Sequence, residues 1–102
     1  MADCMKTASE TLYRMLLDGL GRLVAEEKVP AEPIPSFRVE VPADKSHGDF
    51  AANVAMVSAK TFRMAPRKIA ELLLGAVSLE GTIFSRAEIA GPGFMNFFLK
   101  HA

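Results

Sequence analysis

Three features of this 102-residue sequence predict an α+β domain of two layers, a small and mainly antiparallel sheet covered by helices in the order α-β-α-α-β-β. Apolar residues recur at helical spacing in three separate stretches. Two alternating stretches, Ile83 to Ala90 and Phe94 to Lys100, flank a Gly-Pro-Gly bend and read as a hairpin. Half of the residues are apolar, which suits one modest core and a single domain over residues 1–102.

The first helix is expected from about Thr7 to Lys28, where Leu12, Met15, Leu16, Leu20, Leu23 and Val24 repeat at three and four, although Gly19 and Gly21 weaken it. Pro30, Pro33 and Pro35 then forbid helix and favour an extended connector. It leads into a short alternating strand, Phe37 to Val41, closed by Pro42. The segment from Ala43 to Gly48 is a polar loop. Asp49 stands where a side chain would cap the next helix, expected over Phe50 to about Phe62. That helix is apolar on nearly every side and is the candidate central one, with small Ala51, Ala52, Ala55 and Ala59 permitting close approach to a sheet. Pro66 suits the first turn of a third helix, in which Ile69, Leu72, Leu73, Ala76 and Val77 fall on one face and Gly75 argues for an early end.

The hairpin carries the most information. Pro92 and Gly93 match the second and third positions of a type II turn. Beyond the turn, Met95, Phe97 and Leu99 share one face and belong to the core, while Phe94, Asn96, Phe98 and Lys100 share the other. An aromatic, an amide, a second aromatic and a cation in a row can stack on an unpaired base, read its edge and attract its phosphate. A strand buried on both faces gives the same pattern.

Composition excludes several classes. Twelve basic and twelve acidic residues cancel, so nucleic acid is not held here by bulk charge and any contact must be local. Between Phe50 and Ala70, however, there are four basic residues, Lys60, Arg63, Arg67 and Lys68, and no acidic ones. With Lys100 these are candidate phosphate contacts, although such a cluster is also what a solvated helix face looks like. Cys4 is the only cysteine, which leaves no internal disulfide and no cysteine-based zinc site. Apolar runs are too short for a membrane span or a signal peptide, and a cytoplasmic location is the default expectation.

No catalytic constellation emerges. His47 precedes Gly48 and Asp49 in a loop and His101 lies at the C-terminus, with no triad, metal cluster or paired acid around them. Asp49 beside His47 admits an acid-base pair, but a capping aspartate is the commoner use of such a position. Asn53, amid apolar neighbours, is expected to tie a loop or strand backbone to its helix. Gly48, Gly91 and Gly93 have neither GxGxxG spacing nor a Walker-type GK[ST], so no nucleotide triphosphate site is encoded.

Three ordered blocks carry a resemblance: HGDFAANVAM from His47 to Met56, MAPRKIAE from Met64 to Glu71, and EIAGPGFMNFFL from Glu88 to Leu99. Together they resemble the N-terminal additional domain of arginyl-tRNA synthetases over about Val39 to Leu99; the first helix matches only in character. The resemblance implies a domain that packs beside the catalytic domain of the same polypeptide and meets the outer corner of the arginine tRNA, contacting a D-loop base. The matching positions are Gly91, Phe94 and Asn96, with Phe94 stacking on the base and Asn96 bonding its edge.

It further implies a class I parent enzyme that uses ATP and magnesium to form arginyl-adenylate and then charges its tRNA. Neither a HIGH-like nor a KMSKS-like loop is present in this sequence. The chain is therefore expected to stop short of the catalytic domain, to have no cofactor of its own and to be inactive alone. Two alternatives stay open: a structural docking domain that touches no RNA, and a free-standing RNA-binding module.

Overall fold

The structure is a computed structural model that describes residues 4–100. His101 and the side chain of Cys4 lie outside the described residues. Helix α1, Cys4–Ala25, presents Leu12, Leu16, Leu20 and Leu23 as one fully buried stripe. It ends a turn earlier than its apolar periodicity suggests. Glu27 takes a left-handed φ of 59°, and the Lys28 amide donates to the Leu23 carbonyl at 2.9 Å, closing the helix in a Schellman arrangement. Gly19, inside this helix, faces Leu73 and Val77; a Cβ there would stand 2.7 Å from the Val77 side chain. A residue that weakens the helix locally thus lets α1 lie close against the third helix.

After the proline-rich connector, β1 is short, Val39–Glu40, and a 3-10 turn, Lys45–His47, follows. The expected long helix from Phe50 is then divided. Phe50–Ala52 forms strand β2, and helix α2 begins only at Val54, running to Phe62. Asp49 accordingly caps nothing. Its amide donates to the Phe97 carbonyl at 2.9 Å, and its carboxylate accepts the Leu99 amide at 2.8 Å. The physical reason is the demand of a neighbouring strand for hydrogen-bond partners, which outweighs the helix propensity of two alanines. Gly48 makes the approach possible: it has a φ of 90°, and a Cβ there would lie 2.8 Å from the Phe97 carbonyl oxygen.

Helix α3, Pro66–Ala76, starts on its proline as expected and ends one residue past Gly75, with Val77 already extended. The hairpin follows as β3, Phe84–Ala90, and β4, Phe94–Leu99. The sheet is antiparallel throughout, in the order β1-β2-β4-β3. Its inner face carries Phe50, Ala52, Phe84, Met95 and Phe97, all essentially inaccessible. Phe84 packs edge-on against both Phe50 and Phe97. The three helices cover this face, completing the two layers, with Val54, Ala55, Phe62, Ile69, Ala70 and Leu73 meeting the leucine stripe of α1.

Asp49→Ala leaves the half-buried Leu99 amide without its acceptor and is expected to destabilise the chain by about 1–3 kcal/mol in urea unfolding. Asp49→Asn, which keeps an acceptor oxygen, should recover most of that loss.

Candidate functional site

The outer face of the sheet is read from its register. Glu40 pairs with Ala51, Ala51 with Asn96, and Asn96 with Glu88, so these four residues form one row across all the strands. Ala51 leaves a gap in that row. The gap is the floor of a hollow of about 500 Å³ lined by Glu40, His47, Ala51, Gly91, Phe94 and Asn96 among others. Phe94 stands at its rim with 41% of its surface exposed, one of the few large apolar side chains left open to solvent. Asn96 lies beneath with only 5% exposed. Among the described residues its side-chain amide has no hydrogen-bond partner, which leaves one acceptor and two donors for whatever enters the hollow.

The turn above the hollow differs from the expected type II. The Gly93 amide donates to the Ala90 carbonyl at 3.3 Å, which puts Gly91 and Pro92 at the two central positions, and Gly91 takes a φ of 57°. A positive φ followed by proline is the pattern of a primed turn, whose twist suits a hairpin better than type II. Gly93 has a different task. Its φ is 150°, and a Cβ would stand 2.8 Å from the Cβ of Pro66, so the hairpin tip rests on the start of α3. Arg67, in the first turn of α3, donates from Nη1 to the Gly91 carbonyl at 3.1 Å. The tip is held in place from below.

The remaining candidates are scattered. Phe98 shares the outer face with Phe94 and Asn96, but the guanidinium of Arg86 lies 3.8 Å over its ring and pairs with Glu88. The ring is already occupied. Lys100 sits beyond the far end of β4, about 20 Å along the strand from Phe94 at the usual rise per residue, and its amide bonds the Ile83 carbonyl. The anticipated row of aromatic, amide, aromatic and cation therefore reduces to Phe94 and Asn96. Lys60 is exposed on α2 and lines a second hollow that Phe94 also lines. Arg63 closes α2 in the left-handed region, with φ 56°, and Lys68 is exposed near the start of α3.

Asn53 does what its surroundings demand, its Oδ1 accepting the Arg38 amide at 2.7 Å while its backbone N–H donates to the Arg38 carbonyl at 3.2 Å. It thereby ties the segment before β1 to the start of α2. Glu40, His47 and Glu88 are site residues that sequence reasoning missed. Glu88 was within reach, because with Ala90 paired to Phe94 the hairpin register places it opposite Asn96. His47 is carried to the rim by the 3-10 turn. There the Asp44 carboxylate accepts the Ser46 amide at 2.9 Å and the Ser46 hydroxyl at 2.8 Å. Those two bonds, and then the charge of His47, hold the Asp44 carboxyl below its ordinary value.

Among the described residues no group of three or more histidine, cysteine, aspartate or glutamate side chains is placed to hold a metal ion, and no helix is long and apolar enough to cross a membrane. The site is thus a surface hollow on a small α+β module, equipped with an open ring and an uncommitted amide. Such a site suits recognition of a flat polar ligand.

Comparison with known proteins gives the family. The model of the family described as arginyl tRNA synthetase N terminal domain matches residues 12–99, and the chain belongs to that family. Arginine–tRNA ligase of Acetivibrio thermocellus is 36% identical over 102 residues, covering all of this chain and 18% of the relative. That of Pseudomonas syringae pv. syringae is 46% identical over 93 residues, covering 91% of this chain and 16% of the relative. Arginyl-tRNA synthetase of Plasmodium falciparum has the same fold, with a TM-score of 0.67 at 17% identity over 91% of this chain and 16% of that one. The chain thus spans under a fifth of the length of these relatives.

The lowered carboxyl of Asp44 gives a pH prediction. Because its folded value lies below the unfolded one, the turn's contribution to stability is complete above the ordinary carboxylate range and is lost as pH falls through the lowered value. A carbon-detected titration should place the Asp44 midpoint below that of an unfolded aspartate. Ser46→Ala should move it partway back, since the backbone bond survives.

Proposed function

We propose that this chain is the tRNA-recognising N-terminal domain of an arginine–tRNA ligase, meeting the D-loop at the outer corner of the arginine tRNA while the rest of the polypeptide, its catalytic domain included, activates arginine with ATP and magnesium. In this reading an unstacked D-loop base lies against the ring of Phe94. Asn96 bonds the base's edge from the floor of the hollow, and Gly91 lends its backbone at the turn. The observation that supports it most is the pairing of an open aromatic ring with an amide that has no side-chain partner, in a hollow large enough for a nucleotide.

The domain's contribution is positioning. Stacking one base is worth about 1–3 kcal/mol, which discriminates between tRNAs but does not hold one unaided. Lys60, Arg63, Arg67 and Lys68 are proposed as phosphate contacts around the tip of the hairpin and the neighbouring ends of α2 and α3; Lys100 is too far along β4 to join them. Glu40 and Glu88 lie in the same row as Asn96, each paired with an arginine, Arg38 and Arg86.

In the full-length ligase, Phe94→Ala is expected to lower arginylation kcat/KM for unaltered tRNA by about 5- to 150-fold, the equivalent of one lost stacking interaction. With a tRNA whose D-loop base has been removed the same substitution should cost little. Equal losses with both tRNAs would instead make Phe94 a contact to the neighbouring domain.

A further inference from the structure

Phe94 is a wall between two hollows. A second one, of about 520 Å³, is lined by Asn53, Met56, Val57, Lys60 and Phe94 itself. A third, of about 760 Å³, shares Lys60 with the second and includes Arg63. Each shares one lining residue with the next, Phe94 and then Lys60, so the three follow in order from Asn96 past Phe94 to the end of α2, where Lys60 and Arg63 stand with Glu32.

The chemistry changes along this series. The first hollow has one carboxylate in its lining, Glu40, which pairs with Arg38 at 3.6 Å, together with the polar side chains of His47 and Asn96. The second has an apolar floor, the half-buried side chains of Met56 and Val57, and a single cation at its end. Asn53 gives it a donor of fixed polarity. Its Oδ1 is committed to the Arg38 amide at 2.7 Å, so only the Nδ2 hydrogens remain to meet an acceptor oxygen. The second hollow has no acidic residue in its lining to oppose a phosphate, whereas Glu32 lines the third beside Lys60 and Arg63.

From this arrangement we infer a second nucleotide subsite: the nucleotide next to the one on Asn96 lies over Met56 and Val57, presents an acceptor oxygen to Asn53 Nδ2, and sets its phosphate on Lys60. The inference rests on the proposed reading of Phe94 and Asn96, and it makes the recognised unit two consecutive unstacked nucleotides with the Phe94 ring wedged between them. The face of a base is apolar and its phosphate anionic, which is the order of surfaces the second hollow offers.

The test uses the 102-residue chain with methyl and amide labelling, titrated with uridine monophosphate and with the single-stranded tetranucleotide of uridine. Both ligands should shift the signals of Phe94 and Asn96. Only the tetranucleotide should also shift the methyl groups of Met56 and Val57 and the side-chain amide of Asn53. Met56→Glu should weaken the tetranucleotide about tenfold or more and leave the mononucleotide unchanged. Lys60→Gln, an exposed position that does not endanger folding, should lower the salt slope of tetranucleotide binding by about 0.7, one single-strand phosphate contact. Shifts confined to Phe94 and Asn96 with both ligands, and unchanged affinity in both variants, would overturn the second subsite alone. Tetranucleotide shifts at neither set of residues would overturn the reading on which it rests as well.

Discussion

Everything the outer face of the sheet does depends on the clamp that Gly48 and Asp49 place on β4. Strand β2 is only three residues long and covers β4 from Met95 to Phe97. On that side the last part of β4 would otherwise be open, with β3 pairing it only on the other side as far as Leu99. The Asp49 amide and carboxylate continue the ladder past the end of β2, and the bare Cα of Gly48 lets the two backbones approach closely enough for both bonds. At the other end of β4, Gly93 rests on Pro66 and Arg67 holds the Gly91 carbonyl. A strand fixed at both ends presents a fixed alternation, so Phe97 stays in the core and Asn96 stays out of it.

That rigidity gives the hollow its character. Asn96 is only 5% exposed as a residue, yet its amide atoms still reach solvent through the hollow, since among the described residues the Ser58 hydroxyl alone is a fully buried side-chain group without a partner. Ala51 keeps the space above it open, and Phe94 stands over the opening without closing it. The result is a recognition surface whose two principal groups are set by the sheet, with little conformational entropy left to lose on binding.

Much of this was legible in the residues. Period-two alternation placed Met95 and Phe97 inside, and Pro66 marked the start of α3. Asn53, isolated among apolar neighbours, announced a backbone tie. What escaped was non-local. Phe50, Ala51 and Ala52 look helical because their alanines favour helix and the next residues continue an apolar run; only the unpaired amides and carbonyls of β4, more than forty residues away, make them a strand. The same distance effect hid the role of Asp49, whose partner is Leu99. The type II expectation for the turn failed because Gly-Pro-Gly admits two frames, and the twist of the hairpin selects the one with Gly91 at positive φ. The row from Phe94 to Lys100 was right as a face, but alternation says nothing of Arg86 arriving over Phe98 from the partner strand.

Recognition through this hollow requires the side-chain amide of Asn96 to be free in the unliganded chain and engaged in the complex. The most direct measurement follows its two NH₂ resonances while a stem-loop RNA carrying the D-loop is added to the labelled chain. The account predicts solvent-exchanging amide protons that move downfield and become protected, together with ring-current shifts around Phe94. Saturation of RNA binding with the Asn96 amide signals unmoved would contradict it.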